Sequence, residues 1–151
     1  MARVIIYDRC VLAARETALR LRRRHQLEAS AVHATDFDLT FDDGPHPSLV
    51  ITELQMPMFS GFELIRRVRS AYKSSELPII AYTAIDDAIA WQQARDLGAD
   101  RVIFRNSQDA MLRLDVAVSD LLHEPEVARP SRSQGRLLRF FLPGRATAAA
   151  A

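Results

Sequence analysis

Two carboxylates, a hydroxyl and a guanidinium spaced along this 151-residue chain follow short apolar runs: Asp8, Glu53, Thr83 and Arg105. If the runs are neighbouring strands, the four groups meet at one edge of a sheet. Two acids brought together invite a divalent cation. A guanidinium beside them either neutralises them or holds an anion. Arg9, next to Asp8, is a second cation for the same pocket. Cys10 lies close by, but no histidine partner for it is identifiable, so it reads as a packing residue rather than a nucleophile. His25, His33, His46 and His123 have no metal-ligand spacing, and a single cysteine excludes an internal disulfide or a multi-cysteine zinc site.

The elements that must position these groups alternate. Strand-like runs at Val4–Tyr7, Ala29–Ala34, Leu49–Thr52, Leu77–Tyr82 and Val102–Phe104 are apolar without a period of two. Helical spacing appears at Val11–Arg24, Gly61–Tyr72, Asp86–Leu97 and Gln108–Leu122, with a short helix predicted at Asp36–Phe41. Five β-α repeats with non-alternating strands predict an α/β fold, a five-stranded parallel sheet wound on both faces by helices. In such sheets the functional site lies beyond the carboxyl ends of the strands.

Composition limits the function classes. Hydrophobic residues make up 48% of the chain, enough for a real core, and no run of eighteen apolar residues suggests a membrane span. With one cysteine and no apolar leader, the expected compartment is cytoplasmic. The net charge of +1 conceals a division. Residues 1–124 hold 15 Lys+Arg against 18 Asp+Glu, a balance of −3; residues 125–151 hold five arginines and one acid, a balance of +4. The expected organisation is thus one domain over 1–124 and a basic-hydrophobic tail over 125–151, with the island GRLLRFFLPG at 135–144. The acidic body and the absence of a recognition-helix motif argue against nucleic acid.

The stretch Glu53-Leu-Gln-Met-Pro57-Met-Phe-Ser-Gly61, together with Asp8, Thr83-Ala84 and Arg105 at successive strand ends, resembles the response-regulator receiver domain, the CheY-like family with a flavodoxin-like (βα)5 fold. The resemblance covers roughly residues 2–122. It implies an Asp phosphoacceptor, Mg²⁺ held by acids, a Lys that pairs with the phosphoryl oxygens, a Ser/Thr hydroxyl that follows the phosphate, and a switch aromatic on the last strand. This sequence departs from that pattern. Glu53 stands at the phosphoacceptor, Arg9 at the second metal-binding acid, Arg105 at the Lys, Asn106 at the Pro after it and Val102 at the aromatic. About 1 Å of misplacement can cost on the order of 10²-fold in rate, so a carboxylate one methylene further out is a poor acceptor.

These substitutions predict a degenerate phosphorylation site of Glu53, Asp8, Arg9, Thr83 and Arg105, with no metal, no cofactor and no catalytic residue. Arginines stand in for the dication in an ion-pair cluster. Glu53 either mimics a phosphorylated Asp or survives as an inert part of the scaffold. The function expected is that of a bacterial stand-alone pseudo-receiver, not an enzyme, acting on a signalling protein partner through a face around Trp91, Val102 and Met111. The same face, built from the last two helices and the last strand, would serve a homodimer. Two alternatives stay open: a phosphorelay regulator with relaxed chemistry, and a binder of anions or small ligands through Arg9 and Arg105. The tail island could dock on a partner; a membrane surface is the lesser alternative.

Overall fold

A computed structural model describes residues 1–33 and 46–123. The predicted helix at Asp36–Phe41, the end of the second strand at Ala34 and the tail 125–151 lie outside the described residues. The elements run β1 (Arg3–Asp8), α1 (Val11–His25), β2 (Glu28–His33), β3 (Leu49–Thr52), α2 (Gly61–Ala71), β4 (Ile79–Thr83), α3 (Ala88–Leu97), β5 (Arg101–Phe104) and α4 (Ala110–His123). All five strands are parallel, in the order β2-β1-β3-β4-β5. This is the flavodoxin-like, doubly wound α/β arrangement expected from the alternation.

The strand pleat divides the core. On β1, Ile5 and Tyr7 face one apolar layer with Val50, Leu64, Ile65, Val68 and Ala81. Val4 and Ile6 face the other, with Leu21, Ile51, Ile80, Leu114 and Val118. Burial on both faces explains why the strands carry no alternation. Each fully buried Leu, Ile or Val contributes about 1.5–3 kcal/mol.

Several boundaries differ from the sequence reading by local chemistry. The third helix starts at Ala88, because Asp87 is its cap: its carboxylate accepts the Ile89 N–H at 3.0 Å. Ser60 caps α2 in the same way, accepting from Glu63 N. Glu63 in turn binds Arg66 and Arg67, and the Arg66 hydrogen bond is the main cause that holds its carboxyl at about 2. β4 begins at Ile79, after Pro78, which has no N–H to give the ladder. The last helix begins at Ala110, after a turn in which the Ser107 hydroxyl donates to Phe104 O. None of the helices among the described residues is long and apolar enough to cross a membrane.

The edge of the sheet opposite the strand ends is tied by Arg69. Its guanidinium donates to Gly98 O at 2.8 Å, Leu77 O at 2.7 Å and Asp100 Oδ2 at 2.7 Å. Asp100 also accepts from Ile79 N, so one ion pair joins α2, the end of α3 and the starts of β4 and β5. Gly98 sits at φ +119°, and an added Cβ would lie 2.5 Å from Arg69 Cγ. Gly98→Ala therefore combines a left-handed strain with loss of this clamp. It is expected to lower stability by on the order of 2 kcal/mol, read as a fall in the urea midpoint. An unchanged midpoint would mean that Arg69 can yield without cost.

Candidate functional site

Because β1 and β3 are neighbours at the point where the strand order reverses, their ends open a crevice at the carboxyl edge. Asp8 closes β1 and Glu53 follows β3, with Glu53 N donating to Tyr7 O at 2.9 Å. Thr83 closes β4 beside them, and Arg105 follows β5, its N–H on Thr83 O at 2.8 Å. Gly61 lets the β3–α2 loop pack tightly here. An added Cβ would come within 2.1 Å of Glu53 O, and Gly61 N donates to Leu54 O at 2.9 Å.

Glu53 is 2% exposed, and its carboxylate is surrounded by donors. Oε1 accepts the backbone N–H of Leu54 at 2.7 Å and of Gln55 at 3.2 Å, and the Thr83 hydroxyl. Oε2 accepts Ala84 N–H at 3.0 Å and the Arg105 guanidinium at 3.4 Å. The same Arg105 nitrogen lies 2.8 Å from Asp8 Oδ2, while Asp8 Oδ1 accepts Cys10 N–H at 2.9 Å. Arg105 also stacks over the Tyr82 ring, 5.2 Å from its centroid. Burial draws the guanidinium down, but the hydrogen bond and charge of Asp8, then the charge of Glu53, outweigh it and raise Arg105 overall.

Four of the five expected residues, Asp8, Glu53, Thr83 and Arg105, are thus brought together. Arg9 is not. It is exposed and forms no ion pair among the described residues. The expected balance of two acids by two arginines is corrected to two acids with one arginine. The remaining charge is met by backbone N–H groups and one hydroxyl. The Arg105 nitrogen already serves two carboxylates. The N–H groups of Leu54, Gln55 and Ala84 and the Tyr82 ring were invisible to sequence reasoning, since only folding aims them at residue 53.

The divalent cation that the resemblance implies does not fit these residues. Glu53 Oε1 already accepts three donors and Oε2 two, and the Arg105 cation bridges Glu53 to the one acid beside it, Asp8. A hard cation needs carboxylate oxygens turned towards it with lone pairs to spare. Among the described residues, no group of three acids, histidines or cysteines could hold a metal.

The proposed contact residues divide between the two layers. Val102 is half-buried against the layer under α2 and α3, and Met111 against the layer under α1 and α4. Met111 Sδ accepts the Tyr82 hydroxyl at 3.2 Å. Trp91 is half-buried, its indole N–H on Ile85 O at 2.7 Å. The large apolar side chains exposed on these helices are instead Ile89 at 79% on α3, and Leu112 at 62% and Val116 at 51% on α4. The spacing of Leu112 and Val116, one turn apart and opposite Leu114 and Val118, is the signal that could have found them. Arg20 is paired with the buried Asp115 at 2.6 Å, and His25 approaches the same carboxylate at 3.3 Å.

A buried acid pair crossed by one cation at the end of β1, β3 and β5, in a 2-1-3-4-5 parallel sheet, defines a receiver-type site. Residues 7–117 match the response regulator receiver domain. The chain belongs to this family, the receiver module of two-component signalling. It is 33% identical over 66 residues to the chemotaxis protein CheV1 of Helicobacter pylori, a match covering 44% of this chain and 21% of that protein. It is 40% identical over 60 residues to a protein-glutamate methylesterase/protein-glutamine glutaminase of Trichodesmium erythraeum, covering 38% of this chain and 16% of that one. The matched stretch is therefore less than a quarter of either relative. Among solved structures, the fold superposes on the BeF3-activated receiver domain of Klebsiella pneumoniae RstA with a TM-score of 0.69 at 18% identity, covering 81% of this chain and 99% of that one. CheY4 of Vibrio cholerae gives 0.66 at 19% identity, with coverage of 81% and 99%.

Arg105→Met should leave two buried carboxylates facing each other without a counter-charge, at a cost on the order of 3 kcal/mol. Arg105→Lys should lose clearly less. Paired urea denaturation curves check both, and equal losses would mean that the guanidinium's packing on Tyr82, not its charge, is what matters.

Proposed function

We propose that this chain is a receiver module that signals through protein–protein contact in one fixed conformation, without phosphoryl transfer at position 53. The observation that carries this reading is the set of donors on the Glu53 carboxylate. The Thr83 hydroxyl and the Arg105 cation stand where the resemblance puts the hydroxyl and the Lys that bind a phosphoryl group, and both are already engaged by Glu53. A carboxylate carries one negative charge where a phosphoryl group carries about two, so the match is one of position and hydrogen bonding more than of charge. Burial and this ring of donors also keep Glu53 from reaching a phosphodonor. Of the two roles open to Glu53, the engaged donors favour the mimic that holds the domain in one state.

Contact would fall on the face of α3, β5 and α4, where the exposed Leu112 and Val116 lie beside Val102 and α3 carries the exposed Ile89 and the half-buried Trp91; Met111 faces α1 instead. Exposed apolar side chains such as Leu112 and Val116, one turn apart on α4, suit a protein partner, either a signalling protein or a second copy of the chain. Cys10 is exposed rather than the packing residue expected, and a free thiol open to solvent fits a reducing cytoplasmic compartment. No reaction of its own is assigned to the domain.

Incubation with acetyl phosphate and Mg²⁺, followed by phosphate-affinity electrophoresis, is expected to leave the wild-type chain as one unshifted band. A shifted band that disappears in Glu53→Ala would overturn the reading. For the contact face, sedimentation velocity should find self-association that Leu112→Asp and Val116→Asp both weaken; association indifferent to either substitution would move the interface elsewhere.

A further inference from the structure

Val102 stands where a receiver's last strand would carry its switch aromatic, so the domain needs another way to hold its partner face in register with the site. A continuous run of hydrogen bonds supplies one. The Thr83 hydroxyl donates to Glu53 Oε1, and Thr83 Oγ1 itself accepts the Ile85 N–H at 3.1 Å. Ile85 O then accepts the indole N–H of Trp91 at 2.7 Å. The Trp91 ring lies 6.1 Å from the Phe104 ring of β5, tilted by 38°. Glu53 fixes the same loop a second time, through the Ala84 N–H on Oε2 at 3.0 Å.

The geometry points to Trp91 as a positioning residue through which the carboxylate at residue 53 sets α3 against β5. This rests on the reading of Glu53 as a permanent acceptor and adds how that state is passed to the contact face. Without the carboxylate, the Thr83 hydroxyl and the Ala84 N–H both lose their acceptor. Thr83 is fully buried, and a buried group left unsatisfied is costly enough to make the loop at 84–85 move towards water. Movement of Ile85 withdraws the carbonyl that holds the indole. Trp91 then loses its indole hydrogen bond while its ring still faces Phe104, and the first turns of α3, which carry the exposed Ile89, lose their fixed relation to β5.

A second branch leaves the site on the other face of the sheet, where Arg105 covers the Tyr82 ring and the Tyr82 hydroxyl donates to Met111 Sδ. It shares no hydrogen bond with the Trp91 branch, which makes it an internal control.

Trp91 is the single tryptophan of the chain, so its emission, excited where tyrosine does not absorb, reports this position alone. In the full chain, Glu53→Ala and Thr83→Val are expected to red-shift the emission and raise its quenching by acrylamide. Thr83→Ser, which keeps the hydroxyl, should restore the wild-type spectrum, and Tyr82→Phe should leave it unchanged. If Glu53→Ala does not fold by circular dichroism, Glu53→Gln takes its place, with a smaller shift because one oxygen acceptor remains. Folded Thr83→Val and residue-53 variants with wild-type emission and quenching would overturn the inference. So would a shift in Tyr82→Phe equal to theirs. Phosphate-affinity electrophoresis of the same samples keeps the two ideas apart: a modified Glu53 would remove the fixed-state reading, whereas a silent tryptophan would remove only the relay.

Discussion

Placing the Glu53 carboxylate at the carboxyl edge of the sheet makes a demand on nearly everything around it. A buried carboxylate is tolerated only when its lone pairs are met by donors and its charge by a cation. Here the donors come from three places in the chain: the residues just after β3, the end of β4 and the residue after β5. Each of those segments must hold its position for the others to be satisfied. The parallel order, with β1 and β3 adjacent and β4 and β5 following, is what lets a single arginine just after the edge strand reach acids at the ends of two inner ones.

The chemistry of the pocket follows from how its charge is met. Two acids beside one guanidinium leave a formal surplus of one negative charge. It is spread over backbone N–H groups and a hydroxyl, which are fixed dipoles rather than mobile ions. Such a pocket has its acceptors already committed. It is arranged to stay in one state, in contrast to a site that exchanges a metal and a phosphoryl group. Arg105 bonded to both acids at once is the physical centre of that arrangement, and its stacking on Tyr82 keeps the guanidinium over the sheet.

Much of this was legible in the residues. The non-alternating runs around Ile5, Val50 and Ile80 imply strands buried on both faces. The apolar spacing of Leu64, Ile65 and Val68 marks a helix that covers them. The motif from Glu53 to Gly61 locates the loop that carries the acid. Boundaries were less legible, because they depend on which side chain caps a turn: Asp87 serves as a cap and not as a first-turn residue. The charge pairing was legible only in part. Arg9 and Arg105 look equivalent as letters near two acids, yet one turns to solvent and the other crosses the crevice. Arg20 and Asp115, far apart in sequence, meet only when α1 and α4 pack side by side.

The sequence by itself determined the class of fold, the run of acids, hydroxyl and cation at the strand ends, and the departures at positions 9, 53, 102 and 105. Those depend on residue type and on hydrophobic period, which are local properties. Only the tertiary structure decided which arginine completes the pocket, how many donors crowd Glu53, and that the Trp91 indole is bonded to the loop beside Thr83. Hydrogen bonds and ion pairs require specific atoms within about 3 Å of each other. Between residues dozens of positions apart, that distance is set by how the strands and helices pack and by nothing in the local sequence.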